Sequence, residues 1–113
     1  MLKERINILK SAEVISEQTA NYVCTVIDEL EEMFAEKVSE MEMFTTHLAM
    51  ATQRTLDMAE VESLDDAIWE EVKTSEVFDV ASEMLKKITV NAPCTFPEGE
   101  KRFLLMLLCN LNQ

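Results

Sequence analysis

Residues Met41–Arg54, MEMFTTHLAMATQR, govern the reading of the whole chain, because they carry its one histidine. At 3.6 residues per turn, Met41, Phe44, Leu48, Ala51 and, further on, Met58 form one apolar stripe, which predicts an amphipathic helix. His47 and Arg54 are about two turns apart and share a second line with Met43 and Met50 beside that stripe. The helix thus holds a titratable imidazole at the edge of a core-facing surface, with a guanidinium below it. Ser39-Glu40-Met41-Glu42 has the S-x-x-E form of a capping box and predicts the helix start, with the end expected near Met58.

Before this helix, Leu2, Ile6 and Leu9 line one face of a short helix over residues 2–10. Residues 11–16 read as a connection, with Ser16 as the next N-cap. Thr19, Val23, Val26, Ile27, Leu30 and Phe34 then predict a second helix from Glu17 to about Phe34, with Asp28, Glu29, Glu31 and Glu32 on its solvated side. After the histidine helix comes a polar break over residues 60–63. Ser63-Leu64-Asp65-Asp66 marks another helix start, with Leu64, Ile68 and Val72 facing inward and Trp69 covering an edge. Thr74 and Ser75 interrupt the pattern, and Val77, Phe78, Ala81, Met84, Leu85 and Ile88 make a fifth helix. The stretch NAPCTF, residues 91–96, is a loop; Pro97 suits the first turn of a last helix, with Thr95-x-x-Glu98 as its cap. From Phe103 to Leu111 that helix is apolar nearly all round, so it is either the central member of a bundle or one side of a homodimer interface.

The totals agree with an all-α fold, a compact bundle of five or six helices formed by residues 1–113 as a single domain. Apolar residues make up 48%, enough for a real core, while one Gly and two Pro leave little turn material. The formal net charge is −12, which opposes phosphate backbones and argues against direct nucleic-acid binding. That acidity serves solubility or favours a basic protein partner. Cys24, Cys94 and Cys109 are odd in number and widely spaced, with no CxxC pair, so neither a metal site nor a disulfide framework is expected. The longest apolar run, Phe103 to Cys109, is far short of the ~20 residues that span a bilayer. The expectation is a soluble, cytoplasmic protein without membrane insertion.

Little here supports catalysis. No Ser or Cys sits in a glycine-rich elbow near the one histidine, and Gly99 is the only glycine, so no phosphate-cradling loop exists. Glu98 and Glu100, near the start of the last helix, read as complements to its N-terminal dipole. No catalytic residue and no cofactor is assigned. His47 itself reads as an ordinary core-edge histidine, as a pH-sensitive contact, or as the carrier of a covalent phosphoryl group. Arg54 reads as a surface cation or as a guanidinium able to pair bidentately with phosphate oxygens.

Two segments together suggest a family. MFTTHLAMATQR, followed some forty residues later by FPEGEKRFLLMLL, resembles the phosphotransferase-system regulation domain, or PRD. The family pattern H-L/I-x-x-A-x-x-R is matched by His47, Leu48, Ala51 and Arg54, and the later pattern P-x-x-E-x-x-Y/F-L-x-x-H by Pro97, Glu100, Phe103 and Leu104. The likeness runs from the early ILKSAEVIS region to the C-terminus. It implies a helical domain that senses carbohydrate uptake, on whose histidines a general histidine phosphocarrier or a sugar-specific IIB component places phosphate. In such proteins phosphorylation shifts dimer packing and switches an attached transcription regulator. Carried over, His47 is the phosphoacceptor and Arg54 its phosphate-supporting cation. The chain departs from the family at Leu107, where the second histidine is expected, and it contains no RNA- or DNA-binding module. The resemblance therefore implies a free-standing, non-enzymatic, dimeric regulatory domain acting through protein contacts. The alternative is a constitutive helical scaffold or dimerisation subunit with a purely structural histidine.

Overall fold

The computed structural model describes residues 2–61 and 63–113, and no strand occurs among them. Six helices follow in order: α1 Leu2–Ser11, α2 Glu17–Leu30, α3 Val38–Leu56, α4 Asp66–Lys73, α5 Phe78–Thr89 and α6 Glu98–Leu111. Helices α1, α2 and α3 pack on one another, α4 and α5 pack on α6, and the α3–α6 contact joins the two sets. The core lies along that joint: Phe44 and Leu48 of α3 and Leu104 and Leu108 of α6 are wholly buried, together with Ile6 and Ile27. Burying each such side chain contributes about 1.5–3 kcal/mol, which is what draws these short helices into one body.

The sequence placed the helices well and their ends less well. Ser16 caps α2 as expected, its side chain accepting from the Thr19 N–H. Helix α2, however, stops at Leu30. Phe34 lies in the following turn, held by its N–H to the Leu30 carbonyl, and still packs half-buried against the core. Ser39 does not cap α3. The helix begins at Val38 with Lys37 as N-cap and no side-chain cap bond, and the Glu42 carboxylate pairs instead with Arg5 of α1 at 3.5 Å. Asp65, not Ser63, caps α4, accepting from the Ala67 N–H. Glu62, in the polar break expected before it, lies outside the described residues.

Ile68 is exposed, against expectation, while Val72 is buried and Trp69 half-buried. Leu64 precedes the helix and does not share its period, so the inner face of α4 is set by Trp69 and Val72. The Trp69 ring meets Phe78 edge-on at 6.1 Å and lies under the Arg102 guanidinium at 4.8 Å. At α6 the N-cap is Pro97, with no side-chain cap bond, so the Thr95 cap is absent. Of the two readings of α6, the central one holds within the chain: Leu104, Leu105, Leu107, Leu108, Cys109 and Leu111 are all buried by the chain's own helices.

Polar ties fix the helices round this core. The Gln53 side-chain oxygen accepts from the Ser16 N–H at 2.8 Å and the Thr19 hydroxyl at 2.9 Å, pinning the start of α2 to α3. The Tyr22 hydroxyl donates to the Ile88 carbonyl at 2.8 Å, which joins α2 to the end of α5. Burial pushes the Tyr22 phenol well above its ordinary range, so it remains a donor. The buried threonines of α3 turn their hydroxyls back onto the helix, Thr45 to the Met41 carbonyl and Thr52 to that of Leu48.

Candidate functional site

Helix α3 ends one residue short of Asp57 in a Schellman motif. The Ala59 N–H donates to the Arg54 carbonyl at 2.9 Å, the Met58 N–H to that of Thr55 at 3.1 Å, and Met58 takes the left-handed conformation with φ of 56°. Met58 is thus 91% exposed and leaves the apolar stripe it was expected to complete. The motif fixes Arg54 in the last turn of α3, beside the first turn of α6. There Pro97 sets an extended entry, and Glu98, Gly99 and Glu100 form the opening turn.

Glu98 and Glu100 both lie in the first turn of α6, as expected, but Glu100 has a further role that the sequence reading did not foresee. It is 1% exposed and held bidentately by Arg54, with Nε to Oε2 at 2.9 Å and NH2 to Oε1 at 3.0 Å. A buried carboxylate is tolerable only when so paired. Glu98 does stay at the surface, near Arg102 of the same helix. The sequence carried a signal for this: Glu100, Leu104, Leu108 and Leu111 follow one helical face, all at or below 1% exposure, so a carboxylate falls on the core side.

His47 meets the same group from about two turns before Arg54 in α3. Its side chain is 25% exposed, its Nε2 lies 3.7 Å from Oε1 of Glu100, and its ring stacks on Phe103 with centroids 5.4 Å apart at 29°. That separation from Glu100 is within ion-pair range but too long for a hydrogen bond, and Nε2 is buried with no hydrogen-bond partner. The His47 pKa is lowered: burial is the main cause, Glu100 opposes it and the Arg54 cation adds to it. The ring is therefore held neutral near physiological pH, which leaves one nitrogen with a lone pair.

His47 and Arg54 both line two recesses. One, of about 440 Å³, is completed by Glu60, Glu100 and Phe103. The other, of about 470 Å³, runs along α3 past Met43, Thr46 and Met50 to Arg5 and Glu42. The line His47, Arg54, Met43 and Met50 read from the helical period is thus a real groove wall. Thr46 adds a buried hydroxyl with no hydrogen-bond partner next to the imidazole. Elsewhere, Cys24, Cys94 and Cys109 are free thiols, and burial pushes Cys94 and Cys109 up, away from thiolate reactivity.

Glu100 and Phe103, both from the late segment, thus close on His47 and Arg54 from the early one. The two segments that resembled a family are halves of one site. Over residues 10–111 the sequence matches the family model of the PRD domain. The chain belongs to the PRD family. No curated protein and no solved structure matches it. As a PRD domain it is a regulatory domain of the kind linked to the carbohydrate phosphotransferase system, and its six-helix architecture is all-α as that family requires. Leu107, at the place of the family's second histidine, is 6% exposed and part of the core. No helix among the described residues is long and apolar enough to cross a membrane.

Proposed function

We propose that this PRD domain is a non-enzymatic regulator in phosphotransferase-linked control of transcription, acting through protein contacts, with His47 as its phosphoacceptor. The observation that carries the reading is the position of His47. Its neutral, partly exposed ring stands where the two halves of the family motif meet, bordering two recesses, with a guanidinium in the same site. A phosphoryl group there adds up to two negative charges and three strong acceptors at the joint between α3 and α6. The donor is a phosphorylated general phosphocarrier or IIB component, and the output passes to a transcription regulator through a protein interface, with a homodimer as the working form. Because α6 is consumed by the chain's own core, such a dimer uses other surface. Exposed Met33, Met43 and Val80 are apolar positions available for it.

The test is phosphotransfer: protein incubated with each phosphorylated donor, then intact mass at neutral pH, where phosphohistidine survives. One added phosphoryl group that disappears in His47→Ala is the expected result. No transfer from any cognate donor favours the second reading, a constitutive scaffold. That reading draws on Arg54 being engaged by Glu100 and on a leucine occupying the second histidine position.

A further inference from the structure

In the unmodified site the Arg54 guanidinium is already engaged, its Nε and NH2 both donating to Glu100. A phosphoryl group on His47 would enter a space bordered by that buried carboxylate, whose Oε1 is 3.7 Å from the ring. Two anions cannot share this position while the guanidinium is held on the carboxylate. We infer that Arg54 is an exchangeable cation: it clamps Glu100 while His47 is unmodified and moves to the phosphoryl group once His47 carries one, releasing Glu100 and loosening the first turn of α6 from α3. This rests on the phosphoacceptor reading of His47 and deepens it by naming what the modification switches.

The geometry supports the exchange on three counts. Arg54 belongs to the same helix as His47, so the new pair forms within α3 and no longer ties that helix to α6. Its side chain is 35% exposed and lines both recesses that border the imidazole, so its fork has room to turn. Dianionic phosphate, with three acceptor oxygens, competes well for a bidentate donor against a single carboxylate. Glu100, on the other hand, has nowhere dry to go. A buried carboxylate deprived of its partner is strongly unfavourable, and the relief available is movement of the α6 start toward water. That start has no side-chain cap bond at Pro97 to hold it.

Phosphoramidate serves as a chemical donor that needs no partner protein. The lone pair of an unprotonated ring nitrogen of His47 attacks phosphorus, the P–N bond of the donor breaks, and its electron pair leaves on the donor nitrogen, which already carries three protons at neutral pH and departs as ammonia. The other ring nitrogen keeps its proton.

Hydrogen exchange of the amides 101–104, the first to hold helical bonds in α6, read beside the Arg54 Nε–H resonance, then tests the exchange. In the phosphorylated protein the amides of this turn should exchange on the order of tenfold faster, and the Arg54 resonance should shift. Glu100→Gln should show the loosened turn already and respond little to phosphorylation. A fixed negative charge in His47→Glu should reproduce the loosening, while neutral His47→Gln should not. Unchanged exchange and an unmoved Arg54 resonance in both the phosphorylated protein and His47→Glu overturn the inference. The two readings separate cleanly. An adduct on His47 with an unmoved turn leaves the phosphoacceptor and removes the exchange. A failure of every donor to modify His47, with a turn that opens in His47→Glu, keeps the exchange of partners by Arg54 and removes phosphate as its natural trigger.

Discussion

At the scale of single residues, the site is governed by one buried carboxylate and the two groups that face it. Glu100 demands a cation, Arg54 supplies it, and His47 is left beside the pair as a neutral ring with an unpartnered buried nitrogen. The lowered His47 pKa has a consequence for stability. In the unfolded chain the imidazole titrates at its ordinary 6.5, and in the folded protein below it. Between those values the unfolded state binds more protons, so folding stability is complete above pH 6.5 and is lost as pH falls through that window. Urea unfolding at pH 7.5 and 5.5 should show a larger loss for the wild type than for His47→Gln, and equal losses would mean that His47 does not titrate differently on folding. The part of this constellation legible in the sequence was the pair on α3, because a fixed helical period places residues 47 and 54 on one line. Glu100 was rightly placed in the first turn of α6, but its burial and its bond to Arg54 were not read, because the face on which it falls was not weighed.

At the scale of elements, the helices were legible from apolar periodicity, whereas their ends depended on competition between neighbouring groups. Ser39 and Glu42 had the form of a capping box, yet Glu42 found Arg5 on another helix and α3 began at Val38. Glu13 and Met58 close α1 and α3 in the left-handed region without the glycine that such positions favour. The bonds from Val14 N–H to Leu9 O and from Ala59 N–H to Arg54 O, both 2.9 Å, hold these turns in place. Met58 is almost fully exposed, so removing its side chain forfeits little packing. Met58→Gly is therefore expected to stabilise the protein by about 1 kcal/mol through relief of the Cβ clash, measured as a higher urea midpoint with unchanged slope. A loss of stability instead would show that unfolded-state entropy of the new glycine outweighs that relief.

At the scale of the whole molecule, the radius of gyration of 13.4 Å agrees with the roughly 13 Å expected for a compact chain of this length. The joint between α3 and α6 is both the centre of the core and the floor of the site, so packing there bears on both. Leu108→Ala, at a position with no exposure, should cost about 3 kcal/mol in denaturant unfolding. Ile68→Ala, at an exposed position on α4, should cost under about 1 kcal/mol. Similar costs for the two would contradict the observed inner face of α4. The sequence by itself determined the helical class, the approximate spans, the apolar helix α6 and the family, since each of these follows from local periodicity or from the order of residues along the chain. Only the tertiary structure decided which apolar faces close inward, how α6 is covered, and that Arg54 holds Glu100 across forty-six residues of chain while His47 stands beside them. The reason is physical: a helical period fixes directions within one helix, but the partner of a buried charge is settled by which helix packs against it, and that is a property of the assembled core.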